Sequence, residues 1–289
     1  MTDHVEFDHR PQLSSPIVVC AFAGWNDGGE AATTAARYIR DRWGARRFAS
    51  IDPEDFFDFQ VNRPTVQLED GLTRRLEWPA SEFFRARVSG RDVVLFIGIE
   101  PNNRWRTFVR TLLSVVRDLD ARLLVTLGAF LADVPHTRPA PVSAASTDER
   151  WIGRLGIEPS RYEGPTGIVG VLHDEARRLG VPTVSLWGAA PHYLPSGTNP
   201  KVALSLVRTL GELLEVPVDT DDIETAVAIW EKQVREAVEE DENLVAYVSR
   251  LEEASSAEPE LGQIPSGDQI AREVERYLRD NPDDGGSRT

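Results

Sequence analysis

The chain has 289 residues, of which 41% are hydrophobic, and its formal net charge at pH 7 is −15. This length and apolar content suffice for one large α/β domain with an extension, or for two domains. The negative charge argues against nucleic acid and against an anionic membrane surface as partners, because both are bound through basic faces.

The N-terminal third predicts a strand, a glycine-rich loop and a helix. Residues 1–14 are polar, and we expect a flexible N-terminus. The apolar run Ile17–Ala23 predicts a buried strand, and the Ala-rich segment Glu30–Trp43 predicts a helix for which Asp27 is a plausible N-cap. The next predicted elements are the strand Arg47–Ile51, a hairpin of Thr65–Leu68 and Thr73–Glu77 that turns at Glu69-Asp70-Gly71, the strand Val93–Ile99, the helix Trp105–Leu119 and the strand Leu123–Leu127.

The next segment begins with a loop over residues 129–146, rich in Pro and small residues. Ser146-Thr147-Asp148-Glu149 then matches a capping box that opens a short helix, and residues 156–166 are rich in Gly and Pro. Further predicted elements are the helix Gly167–Leu179, the strand Thr183–Trp187 and a helix that Asn199-Pro200 begins and that runs to about Glu215.

Strands that are apolar throughout and separated by helices predict a mostly parallel sheet covered on both faces. We expect this α/β core at residues 15–216, because the composition shifts near Val216-Pro217. Residues 217–289 predict an acidic helical extension. It consists of an amphipathic helix pair over Asp219–Glu253, a linker over 254–267, a last helix containing Ile270, Val274, Tyr277 and Leu278, and a disordered tail over 283–289.

Cys20 is the single cysteine and lies in the first apolar run, so the chain cannot form a disulfide within itself. This suits a reducing compartment. The sequence has neither a basic and apolar leader nor an apolar run of the ~20 residues that a transmembrane helix needs. We therefore expect a cytoplasmic protein.

The loop Gly24–Gly29 lies after a strand and before a helix, where α/β proteins bind ligands. It lacks the G-x-G-x-x-G and G-x-x-x-x-G-K-[ST] fingerprints, and Asp27 would repel a phosphate. Two interpretations stay open. The loop is either a structural turn or a contact for a ligand or partner, with Trp25 as an exposed anchor and Asn26 and Asp27 as polar groups.

Polar and aromatic residues also follow the other predicted strands. In a parallel sheet these strand ends share one edge, so we expect the side chains to meet along it. Each also has a structural interpretation, as part of a rigid turn, a capped helix start or the exposed surface. The candidate ligand or partner pocket comprises Trp25, Asn26, Asp27, Glu100, His136, Arg138, Glu163, Thr166 and His192.

The standard motifs of several enzyme and metal sites are absent from the sequence, namely G-x-S-x-G, H-E-x-x-H and C-x-x-C. We expect neither a metal nor a cofactor, and no catalytic residue is assigned. If the chain were an enzyme, Glu163 would be the general base, and His136 and Arg138 would contact an anion or leaving group.

Several long motifs resemble the proteasome assembly chaperone 2 family, in its actinobacterial branch. They are Ile17-Val18-Val19 with Gly24–Ala32, Gly128–Val142, Tyr162–Val171 and Ser185–Tyr193. The resemblance covers roughly residues 15–215 and continues into the acidic helices. It implies a three-layer α/β/α fold of the phosphorylase or hydrolase type, and a role as a chaperone of proteasome assembly. The family has no accepted catalytic residues.

Two functions follow from these observations. The first is a non-enzymatic oligomeric scaffold or protein-assembly factor, with itself and proteasome-related proteins as partners and a trimer among the expected assemblies. The alternative is a small-molecule-binding protein, or a hydrolase- or phosphorylase-like enzyme, that uses the loops at the sheet edge. The alternative requires the candidate residues to line one pocket of ~300 Å³ or more.

Overall fold

The computed structural model describes residues 4–69, 73–146, 148–155, 162–194 and 197–256. Several predicted features lie outside these residues. They are the Asp70-Gly71 turn, residues 156–161 of the Gly/Pro-rich segment, the linker beyond Ser256, the last helix and the tail.

A large central sheet has the strand order β1-β3-β6-β7-β2-β8-β10-β9, and β4 and β5 form a separate hairpin. Neighbouring strands β7, β2, β8 and β10 are parallel. Strands β3 and β7 each pair antiparallel with β6, so β3 runs in the same direction as β7, β2, β8 and β10. Five of the eight strands of this sheet therefore run one way. The strands are β1 Val5–Phe7, β2 Ile17–Ala23, β3 Arg46–Ile51, β4 Thr65–Glu69, β5 Thr73–Glu77, β6 Glu82–Val88, β7 Arg91–Ile99, β8 Leu123–Ala132, β9 Val142–Ser146 and β10 Thr183–Pro191.

Helices cover both faces of the sheet, which makes three layers. The helices α1 and α5 pack on one face, and α2 and α4 pack on the other. The predicted fold class, a mostly parallel α/β sheet between helical layers with a C-terminal helical extension, is confirmed. The helices are α1 Ala31–Arg42, α2 Trp105–Asp118, α3 Glu149–Leu155, α4 Ile168–Arg178, α5 Pro200–Leu214, α6 Asp221–Glu239 and α7 Glu242–Ser256.

Strand β2 explains why the central strands are apolar along their whole length. Its odd-numbered residues Ile17, Val19 and Ala21 join the core on the α1/α5 face, whereas Val18 and Cys20 join the core on the α2/α4 face. Successive side chains of a strand point to opposite faces, so a strand covered on both sides needs an apolar residue at every position.

Three strands were not predicted from the sequence, and their amino acids lack a continuous apolar run. Strand β1 lies inside the segment expected to be a flexible N-terminus and pairs antiparallel with β3. Strand β9 lies inside the predicted loop 129–146 and adds antiparallel to β10 at the end of the sheet. Strand β6 mixes aromatic and charged residues and pairs with both β3 and β7.

The acidic helices α6 and α7 pack on the core of their own chain. Ile223 and Val227 of α6 join the core on the α1/α5 face. Farther along α6, Val234 and Val238 form a small cluster with Val248 of α7. Partly buried residues complete this cluster, namely Tyr193, Leu194, Trp230 and Leu244. In the part of the chain that the structure describes, none of the helices is long and apolar enough to cross a membrane.

His173 of α4 points its ring at the buried hydroxyl of Thr126 in β8, with Nε2 2.9 Å from Oγ1. Burial lowers the pKa of this imidazole to about 4. The folded chain therefore holds His173 neutral at pH values where an unfolded histidine, with a pKa near ~6.5, takes up a proton.

Replacing His173 with Gln should make the stability of the protein less dependent on pH. The folded pKa lies below the unfolded one, so the stability associated with neutral His173 is lost as pH falls from about 6.5 towards 4. Between pH 7 and pH 5, wild type should lose about 2 kcal/mol more unfolding free energy than H173Q. Urea unfolding of both proteins at the two pH values measures the difference, and equal losses would contradict the prediction.

Candidate functional site

Loops at one edge of the sheet carry most of the candidate residues, as the parallel strand order requires. Trp25, Asn26 and Asp27 follow β2, and Glu100 follows β7 directly. The candidates His136 and Arg138 follow β8, and His192 follows β10. The loop after β2 is joined to β8 by a hydrogen bond of 2.8 Å from Ala129 N to the backbone oxygen of Asn26.

Asp27 is buried and holds the start of α1. Its Oδ1 accepts hydrogen bonds from the backbone N of Ala32 at 2.7 Å and of Thr33 at 3.2 Å, and its Oδ2 accepts from Thr33 Oγ1 at 2.5 Å. Burial raises the pKa of the Asp27 carboxyl, and the hydrogen bonds from Thr33 and Ala32 oppose that shift. The capping role predicted for Asp27 is therefore present, but a 3₁₀ turn over Gly28–Glu30 separates it from the helix.

Glu100 connects two segments through its two carboxylate oxygens. Its Oε1 accepts a hydrogen bond of 2.7 Å from the backbone N of Ile168, the first residue of α4. Its Oε2 accepts a longer one of 3.4 Å from the backbone N of Trp25. A carboxylate at a helix N-terminus satisfies a free N–H and interacts favourably with the helix dipole. Glu100 thus fixes both the Trp25 loop and the start of α4.

Gly167 is required where these segments meet, a constraint that the sequence analysis missed. A β-carbon at Gly167 would lie 2.1 Å from Asn26 Oδ1 and 2.8 Å from Glu100 Oε1. Asn26 is buried, and its Oδ1 has no hydrogen-bond partner among the described residues. Both oxygens lie close to the position of that β-carbon, so a larger residue there would displace both side chains.

His136 is buried at the other end of this edge and is held by Tyr193 and Lys201. Its backbone N donates to Tyr193 Oη at 2.8 Å, and its Nδ1 lies 2.8 Å from the same hydroxyl. The Lys201 ammonium donates to the His136 backbone oxygen at 2.6 Å and pairs with Glu231 of α6 at 2.6 Å. Burial and the charge of Lys201 lower the pKa of His136, and burial raises that of Tyr193. Tyr193 ends one of the family-like motifs, Ser185–Tyr193, whereas Lys201 gave no motif signal in the sequence.

His192 lies in an aromatic contact with α7. Its Nδ1 is 3.1 Å from Asp133 Oδ1, which also accepts a hydrogen bond of 2.6 Å from Tyr247 Oη. The rings of His192 and Tyr193 each meet Tyr247 edge to face, with centroids 5.6 and 5.9 Å away. In addition, Thr137 donates a hydrogen bond to Glu252 of α7. The two acidic helices therefore lie against this part of the sheet edge.

Neither of two cavities beside these loops and helices is lined by all nine candidate residues. The crevice beside His136 and Arg138 holds only about 10 Å³. A groove of about 480 Å³ lies between α2 and α4, and Thr166 is the one candidate among its lining residues in the described chain. Arg138, Glu163 and Thr166 are exposed. Most of the remaining candidates bond to backbone groups or hold neighbouring loops in place.

Replacing Glu100 with Ala should destabilise the protein by about 1 kcal/mol, because the first N–H of α4 loses its acceptor. Replacement with Gln should cost less, since one side-chain oxygen remains. Urea unfolding of the two variants measures this order, and Glu163→Ala is the matched control, because Glu163 is exposed. A loss for E100A no larger than that for E163A would contradict the role assigned to Glu100.

A family model described as the PAC2 family matches residues 21–238. The structure resembles that of a PAC2 family protein from Streptomyces avermitilis, with 43% identity and a TM-score of 0.76 over 81% of this chain and 99% of that chain. It also resembles a proteasome-assembly chaperone homologue from Mycobacterium tuberculosis, with 44% identity and a TM-score of 0.73 over 80% and 99%.

An archaeal proteasome activator from Pyrococcus furiosus shares the fold, with 18% identity and a TM-score of 0.66 over 81% of this chain and 97% of that chain. A comparison with curated proteins found no match. The family predicted from the sequence motifs is confirmed by the family model and by the two structures above 40% identity. This chain belongs to the PAC2 family.

Proposed function

We propose that this protein is a non-enzymatic assembly factor for a protein complex in the cytoplasm, and that it works as a homo-oligomer. Membership of the PAC2 family supports an assembly role. The names of its structural relatives, a proteasome-assembly chaperone homologue and a proteasome activator, favour proteasome subunits as the proteins that it helps to assemble.

The main observation behind this proposal is that hydrogen bonds fix the loop after β2, while the side chain of Trp25 in that loop is exposed. Asp27 fixes its end to α1, Glu100 fixes the Trp25 backbone, and Asn26 is bonded to β8. The indole of Trp25 remains 58% exposed on this rigid support. Tryptophan is enriched among the residues that dominate protein–protein affinity, and a preorganised loop loses little entropy on binding.

The alternative, a ligand site or an active site at the sheet edge, has less support. It required the candidate residues to share a pocket of ~300 Å³ or more. Instead, Asp27, Glu100 and His136 take part in hydrogen bonds that hold loops and helices. The polar groups at this edge therefore serve to shape a surface, which suits a docking platform.

The proposal is tested by mixing the protein with separately purified proteasome subunits and following formation of the assembled particle by native electrophoresis. Wild type should bind an assembly intermediate and accelerate assembly. Trp25→Ala should weaken that binding by about 30-fold, the effect of losing ~2 kcal/mol at an interface anchor.

Leu179→Ala is the matched control, since Leu179 is another exposed apolar residue and lies at the end of α4. It should behave like wild type. The proposal is wrong if wild type neither binds the subunits nor changes their rate of assembly. If W25A assembles subunits as well as wild type does, Trp25 is not the anchor.

A further inference from the structure

The hairpin of β4 and β5 has one apolar and one polar face. Val66 pairs with Leu76 across the two strands, and Leu68 pairs with Arg74, so these four side chains share a face. The opposite face carries polar residues, among which Gln67 Nε2 donates a hydrogen bond of 2.8 Å to Glu77 Oε2.

The apolar face of the hairpin is largely exposed in the described part of the chain. Val66, Leu68 and Leu76 are 54%, 64% and 54% exposed. Trp78, just beyond β5, packs edge to face on Phe59 and is still half exposed. The hairpin is separate from the main sheet and makes no extensive contact with other described elements of its chain. Two-stranded hairpins have little stability alone, and a contiguous exposed apolar patch marks an interaction site.

Exposed apolar residues set among acidic ones also occur on the chain itself, along α6 and α7. Residues 221–256 contain eleven acidic and three basic residues, so they carry eight of the fifteen net negative charges. Two large apolar residues interrupt these acids on the outer side, Ile229 (57% exposed) and Val245 (41% exposed). Glu236 lies two turns from Ile229, and Glu242 lies one turn from Val245, on the same helix faces.

We infer that the apolar face of the β4–β5 hairpin binds the outer face of α6 and α7 on a second copy of this chain. The aliphatic side chains would cover Ile229 and Val245, and Arg74 would approach the surrounding carboxylates. Copies that each carry a charge of −15 repel one another, so a contact that brings a cation to the most acidic segment offsets that repulsion locally.

The contact pairs two different surfaces, so one copy can use its hairpin on one neighbour and its helices on another, which is a heterologous arrangement. Heterologous contacts close into rings when the rotation between copies permits it. The inference rests on the homo-oligomer proposed above and goes further, since it names both surfaces.

The experiment uses two variants of the full chain, Leu68→Asp on the hairpin and Ile229→Asp on α6. Both residues are exposed, so both variants should melt as cooperatively as wild type. By sedimentation velocity, wild type should be an oligomer and each variant alone a monomer. An equimolar mixture should form a heterodimer, because the intact hairpin of I229D meets the intact helices of L68D.

Gln67→Lys is the matched control on the polar face of the same hairpin, and it should keep the wild-type mass. Arg74→Glu should weaken association at low salt and less so at 1 M salt, where charge interactions are screened. If L68D sediments as wild type does, or if the mixture stays monomeric, the named surfaces are wrong while the homo-oligomer stands. A monomeric wild type would overturn both, and would leave the assembly activity to be judged by its own assay.

Discussion

Two segments of the sheet edge, the Trp25 loop and the start of α4, are joined by one carboxylate. Glu100 leaves the end of β7 and accepts hydrogen bonds from the first residue of α4 and from the Trp25 loop. The helix and the loop are far apart in the chain, and the Glu100 carboxylate is a hydrogen-bond partner that both share. Gly167 is the residue that allows this approach, since any β-carbon there would collide with Glu100 and Asn26.

Other polar side chains along this edge also hold the structure in place. Asp27, Glu100 and His136 are residue types suited to catalysis, yet each is engaged in holding the backbone or a neighbouring side chain. The most exposed aromatic side chain that these hydrogen bonds support is the indole of Trp25. This arrangement suits the assembly role proposed above, because the polar groups at the edge already serve to shape it.

The sequence predicted the elements whose signal is local. Strand β2 and helix α2 were placed to within one residue, because an unbroken apolar run and a 3.6-residue period are strong patterns. Strand β9 was not predicted, since its small residues form a strand only by pairing with β10. At the site, the sequence identified which residues lie at strand ends, but the contact of Glu100 with Ile168 joins residues 68 positions apart and has no local signature.

The packing of α7 on the sheet edge has a consequence for the newly made chain. The rings of His192 and Tyr193 pack against Tyr247, a residue that the ribosome adds more than fifty positions later. Domains fold as the chain emerges, from the N-terminus onwards. The eight strands can therefore pair while these aromatic groups still face water, and α7 packs against them only after its own residues have been made.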